Sequence, residues 1–395
     1  MRLKSSTKTG EDGNRREADA GQPGKGTGVQ TLKMRAAVLR KRGGPIEIES
    51  IEMEGPREDE VLVRIVASGI CHTDIAICDD WDEADFPVVL GHEGAGVVER
   101  VGRSVKSVRR GDHVVLSYQS CGQCRPCRSG RPAHCKYLYE ANFCFQRLDG
   151  SNALERSGVH GHFFGQSSFA TYSLATERNL VKVSRGLSLE LLAPLGCGVQ
   201  TGAGTVMNSL KVSAGKSIAI FGTGAVGIAA VMAARLVGTA SIVGVDLRPK
   251  RLQLAQELGA THVINNRRQD VARRIAEITG SGVDYVVETT GNPTMHQLAI
   301  DVLNPNGIVA FLTGETGMAL PGGRKTLGII EGDAVPQEFI PKLIKLYRAG
   351  KFPFDRLIKV YTFGEINRAI ADARRGDTIK PVLRIGTIMK QIESP

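Results

Sequence analysis

The chain has 395 residues and a formal net charge of +10, with 42% hydrophobic and 23% charged residues. This length allows two domains with separate cores, and the composition is ordinary for a globular protein. No apolar run approaches the ~20 residues of a membrane span, and the N-terminus lacks the apolar middle of a secretory signal. We therefore predict a cytoplasmic protein with no membrane association, whose eight cysteines are metal ligands or free thiols rather than disulfides.

Residues 1–33 carry seven Lys or Arg residues against four Asp or Glu residues and almost no large apolar side chain. Such a segment cannot bury enough surface to order itself, so we predict a disordered tail. Met34 then opens a strand and is a candidate for the natural first residue. The remaining positive charge is spread along the chain without an interleaved aromatic and basic motif, so we predict no nucleic-acid partner.

Short strands separated by Gly and Pro follow the tail and predict an irregular, β-rich domain over residues 34–198. The predicted strands are Ile46–Ile51, Val61–Val66, Gly96–Val101 and His113–Leu116.

Strands and helices alternate from residue 199 onward. The predicted strands are Ser217–Phe221, Ser241–Val245, His262–Ile264 and Tyr285–Val287, and the predicted helices are Val226–Val237, Lys250–Leu258 and Val271–Ile278. This alternation predicts an α/β domain over residues 199–331, a Rossmann doubly wound parallel sheet. A helix around Phe339–Tyr347 and a strand at Val382–Ile385 are expected to return to the first domain, which assigns residues 332–395 to it.

A phosphate-binding fingerprint lies between the first strand and helix of this domain, in Gly222-Thr223-Gly224-Ala225-Val226-Gly227. Gly222 permits the tight turn, Gly224 lets the backbone approach a pyrophosphate, and Gly227 allows the helix to pack on the strand. The helix N-terminus directs its partial positive charge at the phosphates.

Asp246 ends the next strand and can accept hydrogen bonds from an adenosine ribose. Its charge would repel a 2′-phosphate, so NAD is favoured over NADP. Arg248 nearby means that NADP is not excluded by the sequence.

Four cysteines within fifteen residues form the most specific local pattern: Cys121, Cys124, Cys127 and Cys135. They can surround one tetrahedral zinc, and a closed four-thiolate site is structural because it leaves no place for a substrate. An iron–sulfur cluster is the competing interpretation, but Lys136 stands where the bacterial cluster motif has Pro, and the spacing differs.

Three further segments supply the ligands of an open, catalytic zinc site. Cys71-His72-Thr73-Asp74, His92-Glu93 and Gly196-Cys197-Gly198 together offer two thiolates and an imidazole. Each segment alone is explained as well by a buried thiol or a hydrogen-bonded turn.

These motifs together resemble the zinc-dependent medium-chain alcohol dehydrogenases over nearly all of residues 34–395. Within that family the chain is most similar to the aryl-alcohol (benzyl-alcohol) dehydrogenases. The longest similar segments are His160–Phe169, Glu331–Gln337 and Phe352–Asp355. The resemblance implies an N-terminal chaperonin-10-like (GroES-like) catalytic domain, a Rossmann domain and a cleft between them.

The same resemblance implies the roles of individual residues. Cys71, His92 and Cys197 would be the catalytic zinc ligands, Glu93 a carboxylate that can approach the metal, and Asp74 the partner that fixes the tautomer of His92.

For the cofactor, the resemblance implies that His72 lies near the pyrophosphate, Thr201 near the nicotinamide, and that Lys380 reaches the phosphates. The Thr73 hydroxyl can accept and donate the proton that the alcohol loses. Many relatives continue this relay with a His three residues later, where this chain has Ala76.

Tyr118, Trp81 and the Phe163-Phe164 pair are candidates for an aromatic-lined substrate pocket, although each is equally well explained as a core residue. The resemblance implies oxidation of primary aromatic or allylic alcohols to aldehydes. A thiol-adduct-dependent formaldehyde dehydrogenase is the alternative enzyme, and a non-catalytic cofactor-binding module is the alternative from another class.

Association is expected through the cofactor domains, as in the family. Ile308–Leu312 is the predicted edge strand for pairing across a two-fold axis, in a homodimer or a homotetramer.

Overall fold

The structure is a computed structural model that describes residues 31–313 and 320–386. Its strands are β1 (Thr31–Leu39), β2 (Ile46–Glu54), β3 (Glu60–Gly69), β4 (Val88–Val89), β5 (Glu93–Val101), β6 (His113–Leu116), β7 (Tyr172–Thr176), β8 (Leu180–Val183), β9 (Ser217–Phe221), β10 (Ser241–Asp246), β11 (His262–Asn265), β12 (Val283–Glu288), β13 (Leu303–Phe311), β14 (Lys325–Gly328), β15 (Ile358–Thr362) and β16 (Lys380–Arg384).

The α-helices are α1 (His72–Asp80), α2 (Arg125–Arg128), α3 (Leu138–Phe143), α4 (Leu189–Leu192), α5 (Gly198–Gly204), α6 (Ala225–Leu236), α7 (Pro249–Leu258), α8 (Val271–Thr279), α9 (Pro293–Asp301), α10 (Pro336–Arg348) and α11 (Ile366–Arg375). Among the described residues, none of these helices combines the length and apolar character that crossing a membrane requires.

The predicted parallel sheet is confirmed. Six strands follow the order β11-β10-β9-β12-β13-β14, and each neighbouring pair is parallel. The strands β9 and β10 are buried on both faces, as expected of a sheet that helices cover on both sides. Local signals begin and end the helices: Pro249 stands in the first turn of α7, Asp270 caps the start of α8 by accepting the Arg273 N–H, and Gly280 ends α8 with φ of 82°.

A seven-stranded sheet and a three-stranded sheet account for the β-rich part of the chain. The larger has the path β15-β16-β3-β5-β6-β8 with β7 paired to β3, so the C-terminal strands lie beside strands from the first part of the sequence. The smaller has the order β2-β1-β4. The β-rich architecture expected from the Gly- and Pro-interrupted strands is thus confirmed.

Two expectations need correction. Residues 31–33 do not belong to a disordered tail, because β1 begins at Thr31 and its first residues pair with Glu54, Met53 and Glu52 of β2. Leu32 packs against the apolar cluster below this hairpin, which supplies the burial that composition alone did not show. Residues 1–30 lie outside the described residues.

The second correction concerns the sheet edge. Ile308–Leu312 does not form an edge strand, because β13 pairs with β12 on one side and with β14 on the other. In the part of the chain that the structure describes, β14 ends this sheet.

Candidate active site and metal centres

The Cys71–Asp74 segment opens helix α1, and one carboxylate orders it. Asp74 Oδ2 accepts the backbone N–H of Cys71 at 2.9 Å, and Oδ1 accepts the Gly91 N–H at 3.0 Å. The same Oδ1 lies 3.1 Å from His92 Nδ1. Asp74 is completely buried and therefore holds two distant segments in one geometry.

His92 has one ring nitrogen engaged and one free. A proton on Nδ1 that is donated to Asp74 leaves the lone pair of Nε2 unprotonated, and Nε2 is buried without a hydrogen-bond partner. A buried ring nitrogen without a hydrogen-bond partner is typical of a histidine that binds a metal ion.

Four side chains converge at this nitrogen. Single ligand atoms of Cys71, His92, Glu93 and Cys197 all lie within 4.8 Å of one another. The hydrogen bond from the Cys197 thiol lowers the pKa of the Cys71 thiol well below its usual value, with Lys380 and His92 acting in the same direction. Two sulfurs and an imidazole nitrogen at this spacing fit a tetrahedral zinc with one open position.

Glu93 and Lys380 form a buried pair beside this cluster. Burial raises the pKa of the Glu93 carboxyl to about 7, although Lys380 opposes the shift. Burial alone would lower the pKa of Lys380, but the Glu93 carboxylate raises it. Lys380 Nζ lies 2.8 Å from Glu93 Oε1, so its side chain points at the metal-ligand cluster, and its contact with cofactor phosphates stays a prediction.

The four-cysteine loop forms a second compact cluster. The sulfur atoms of Cys121, Cys124, Cys127 and Cys135 lie within 4.8 Å of one another. Backbone N–H groups surround them: Cys121 N donates to Cys135 Sγ at 3.3 Å and Lys136 N donates to Cys124 Sγ at 3.4 Å. The backbone N–H groups of Lys136 and Cys127 lower the pKa of the Cys124 thiol to about 6. Four cysteine sulfurs at this spacing fit a structural zinc.

The glycine turn has the geometry of a phosphate cradle. Gly222 has φ of 86°, and a Cβ on Gly227 would lie 1.8 Å from the Gly222 carbonyl oxygen, so neither position accepts a side chain. A Cβ on Gly224 would meet only Arg251 Nη1 at 3.9 Å, so open space adjoins the N-terminus of α6. Val226 stands in the first turn of α6 and is half-buried.

Asp246 stands at the carboxyl end of β10 beside this turn. Its Oδ2 accepts the backbone N–H of Thr223 at 2.8 Å and the Thr223 hydroxyl at 3.0 Å, and its Oδ1 accepts the Arg248 N–H at 2.9 Å. The sequence reasoning missed Arg251, whose Nε is buried without a partner and whose pKa is lowered by burial. Its signal would have been a basic residue five positions after Asp246, in the first turn of the following helix.

The remaining predicted residues differ in how far their side chains are buried. Thr73 is half-buried with its hydroxyl 3.8 Å from Cys71 Sγ, whereas His72 and Ala76 are exposed. Thr201 is buried on α5, three residues after the Cys197–Gly198 boundary where that helix begins.

Four aromatic side chains, called the aromatic wall below, pack beside the metal-ligand cluster of Cys71, His92, Glu93 and Cys197. The ring of Phe164 stacks on His92 with centroids 4.5 Å apart, and Phe163 meets the same imidazole edge-on at 5.3 Å. Phe143 packs on both phenylalanines, and Trp81 stacks on Phe143 at 6.1 Å. Sequence reasoning named three of these four aromatics and missed Phe143.

Tyr118 does not join the aromatic wall. Its side chain is buried, and its hydroxyl donates to the Ala334 carbonyl at 2.6 Å. Glu331, three residues earlier, was noted in sequence only as part of a similar segment, yet its buried carboxylate accepts hydrogen bonds from Gln200 and Thr201.

A nucleotide-binding parallel sheet, a cluster of two thiols and an imidazole, and a closed four-cysteine loop together define a metal- and nicotinamide-dependent oxidoreductase. Comparison with known proteins agrees. Residues 57–185 match the family described as "Alcohol dehydrogenase GroES-like domain" and residues 225–337 match "Zinc-binding dehydrogenase". The chain belongs to the zinc-dependent medium-chain alcohol dehydrogenase family, and the expected zinc and nicotinamide cofactors are confirmed with it.

Three relatives indicate the range of similarity. The chain is 45% identical to a geraniol dehydrogenase of Castellaniella defragrans over 365 residues, covering 89% of this chain and 98% of the relative. The crystal structure of benzyl alcohol dehydrogenase from Acinetobacter calcoaceticus is similar with a TM-score of 0.86 at 44% identity, covering 90% and 100% of the two chains. An S-(hydroxymethyl)glutathione dehydrogenase of Synechocystis is 34% identical, covering 89% and 100%.

Proposed function

We propose that this protein is an NAD-dependent zinc enzyme that oxidises primary allylic or aromatic alcohols reversibly to aldehydes. The observation that carries this proposal is the aromatic wall stacked directly on His92, a residue of the metal-ligand cluster. An apolar surface at that position favours a substrate whose unsaturated carbon skeleton begins next to its hydroxyl group.

Cys71, His92 and Cys197 hold the catalytic zinc in this proposal, with Glu93 close enough to approach it. Cys121, Cys124, Cys127 and Cys135 hold the structural zinc. When bound, the zinc acts as a Lewis acid that lowers the pKa of the alcohol, and NAD accepts the hydride.

The chain itself holds and moves the proton. Asp74 keeps the proton of His92 on Nδ1, which leaves Nε2 for the metal. The Thr73 hydroxyl, half-buried beside Cys71, is placed to accept the proton of the alcohol and to pass it outward. At Ala76 the usual last base is missing, and because this position is exposed, water can take the proton there.

The cofactor is held by Gly222, Gly224, Val226 and Gly227 at its pyrophosphate and by Asp246 at its ribose. The open space above Gly224 and the position of Asp246 at the end of β10, bonded to the glycine turn, support this assignment. We place His72 toward the phosphates and Thr201 toward the nicotinamide, whereas Lys380, buried against Glu93, would have to leave that pair to reach the phosphates. To these residues we add Arg251, whose guanidinium lies next to Gly224.

The substrate class is supported by two relatives and by the site. The relatives named above act on geraniol and on benzyl alcohol according to their names, and both share more than two fifths of their residues with this chain. Phe143, Phe164 and Trp81 supply the apolar surface such alcohols need, whereas Phe163 is a completely buried core residue.

A substrate panel with zinc-loaded protein and NAD⁺ tests the proposal by NADH absorbance. We expect kcat/KM for geraniol and benzyl alcohol to exceed that for ethanol by at least about tenfold, because each buried CH₂ contributes about 0.8 kcal/mol. Preference for S-(hydroxymethyl)glutathione would favour the formaldehyde dehydrogenase alternative. NAD⁺ binding with no reduction by any alcohol would favour the non-catalytic module.

We propose further that residues 34–198 and 332–395 form the catalytic domain and residues 199–331 the cofactor domain. A cytoplasmic homodimer or homotetramer is the expected form, with β14 rather than β13 offering the edge for pairing. Sedimentation of the purified protein tests the oligomeric state.

A further inference from the structure

The backbone on both sides of Cys197 is held by hydrogen bonds to other side chains. On one side, the N–H of Gly198 donates to Glu93 Oε1 at 3.0 Å. On the other, the carbonyl of Gly196 accepts the Ser117 hydroxyl at 2.6 Å and the Nε2 amide of Gln200 at 2.9 Å.

Gln200 is in turn held by a buried carboxylate. Its Nε2, which also faces the Gly196 carbonyl, lies 2.9 Å from Glu331 Oε2 and 2.7 Å from Ser117 Oγ, so three acceptors share the two hydrogens of this amide. The hydroxyl of Thr201 donates to the same Glu331 oxygen at 3.4 Å. Glu331 therefore stabilises the first turn of α5, the helix that begins directly after Cys197.

Glu331 lies in a turn with an energetically unfavourable backbone conformation. Glu331, Gly332 and Asp333 have φ values of 51°, 64° and 49°, and positive φ is unfavourable for the two residues that carry a Cβ. A Cβ at Gly332 would lie 2.8 Å from the carbonyl oxygens of Gln200 and Thr201, so the turn touches α5 without intervening side chains.

The far side of this turn is fixed by the four-cysteine region. The Tyr118 hydroxyl donates to the Ala334 carbonyl, and Asp333 Oδ1 lies 3.1 Å from Nε2 of His134, the residue before Cys135. The turn thus lies between the four-cysteine loop and α5 and is bonded to both.

We infer that Glu331 is a positioning residue for the catalytic zinc, which orients the Cys197 ligand through Gln200 and the Gly196 carbonyl. This inference rests on the proposed function, which makes Cys197 a zinc ligand. Hydrogen-bonded partners behind metal ligands typically contribute 10- to 100-fold in metal affinity, and a strained turn persists where the surrounding structure requires it.

The test measures zinc affinity of the two sites by competition with a chelator in the parent and three variants. Glu331→Gly removes the carboxylate at a position whose positive φ suits glycine, so folding is retained. Glu331→Gln keeps one oxygen acceptor for Gln200. Asp333→Asn is the matched control, because it lies in the same turn but faces His134.

We expect Glu331→Gly to bind one of its two zinc ions about 10- to 100-fold more weakly than the parent, with the other unchanged. The zinc affinity of Glu331→Gln should lie between those of Glu331→Gly and the parent. The zinc affinity of Asp333→Asn should match that of the parent. In cobalt-substituted protein, the thiolate-to-cobalt absorption should shift in Glu331→Gly alone.

Parental zinc affinity in Glu331→Gly would overturn the inference and leave the proposed function intact. Equal weakening by Asp333→Asn would also overturn it, because the turn rather than the carboxylate would then be responsible. A parent that binds only one zinc ion per chain would contradict the proposed function itself, and this inference with it.

Discussion

Lys380 Nζ lies 2.8 and 3.0 Å from the two carboxylate oxygens of Glu93, and it also donates to the Ile70 carbonyl at 3.2 Å. Both side chains are buried next to the metal-ligand cluster. The Lys380 ammonium balances the charge of the Glu93 carboxylate. The pair therefore adds no net charge beside a zinc ion held by two thiolates.

Removing one partner of this pair should destabilise the protein strongly. We expect Lys380→Met to lower the free energy of unfolding by about 3–5 kcal/mol, because the Glu93 carboxylate would be buried without its cation. The double variant Lys380→Met/Glu93→Gln should recover most of that loss. Denaturant unfolding of zinc-loaded protein measures both values.

An exposed ion pair provides the control. Lys182 lies 2.8 Å from Asp112, but its side chain is 52% exposed. Lys182→Met should cost less than about 1 kcal/mol. A similar cost for Lys380→Met would show that burial of the Glu93 pair has no special energetic weight.

The proposed proton path depends on a single hydroxyl, that of Thr73. Thr73→Val preserves the shape of the side chain but cannot accept or donate a proton, so kcat should fall about 10²- to 10⁴-fold. Thr73→Ser keeps the hydroxyl and should retain most of the rate. Steady-state kinetics with benzyl alcohol compare them, and a normal kcat in Thr73→Val would refute the relay.

Cofactor preference should follow the charge of Asp246. Asp246→Ser removes the carboxylate that would repel a 2′-phosphate, and like charges brought together cost several kcal/mol. We expect the ratio of kcat/KM for NAD over NADP to fall at least about tenfold.

Asp270→Ser is the control for Asp246→Ser, because it removes an acidic residue of the same domain at a helix cap that Ser also fills. It should leave the NAD preference unchanged. An unchanged preference in Asp246→Ser would contradict the ribose-binding role.

The four-cysteine loop should bind its zinc independently of the catalytic site. Cys124→Ser removes the sulfur whose pKa is lowered to about 6, and it should lower the zinc content by about one ion per chain. Cys144→Ser, outside the cluster, should retain the parental content. Elemental analysis of both purified variants decides whether the loop is a metal site.

Stability should decrease in acid because of His162. Burial, reinforced by the charges of Arg147 and Arg57, lowers the pKa of His162 to about 3, and its Nε2 accepts the Ala153 N–H at 3.1 Å. The unfolded chain binds this proton near pH 6.5, so the contribution of neutral His162 is complete above that pH and declines as the pH falls toward 3.

Between pH 6.5 and pH 5 this decline should amount to about 2 kcal/mol. His162→Asn, which tolerates the φ of 61° at this position, should lack it. The stability difference between parent and variant, measured by denaturant unfolding at pH 7.5 and pH 5, should shrink by that amount in acid. A constant difference would contradict a buried neutral imidazole.

Local signals were sufficient for much of this protein. The four cysteines lie within fifteen residues, so their loop could be assigned from spacing alone, and the observed sulfur cluster agrees. The strands β6 and β9 have the predicted bounds, α7 and α8 differ by one residue at one end, and α6 differs by one residue at each end. Pro, Gly and capping residues act within a few residues of themselves, so such bounds can be predicted locally.

Tertiary structure decided what depends on residues far apart in the chain. Lys380 meets Glu93 across 287 positions and Gln200 meets Glu331 across 131, and no local pattern encodes either contact. The neighbours of β13, the start of β1 and the stacking of Phe164 on His92 were likewise settled by packing. Backbone propensity acts over a few residues, whereas the burial of a charge or an aromatic ring depends on every segment that closes around it.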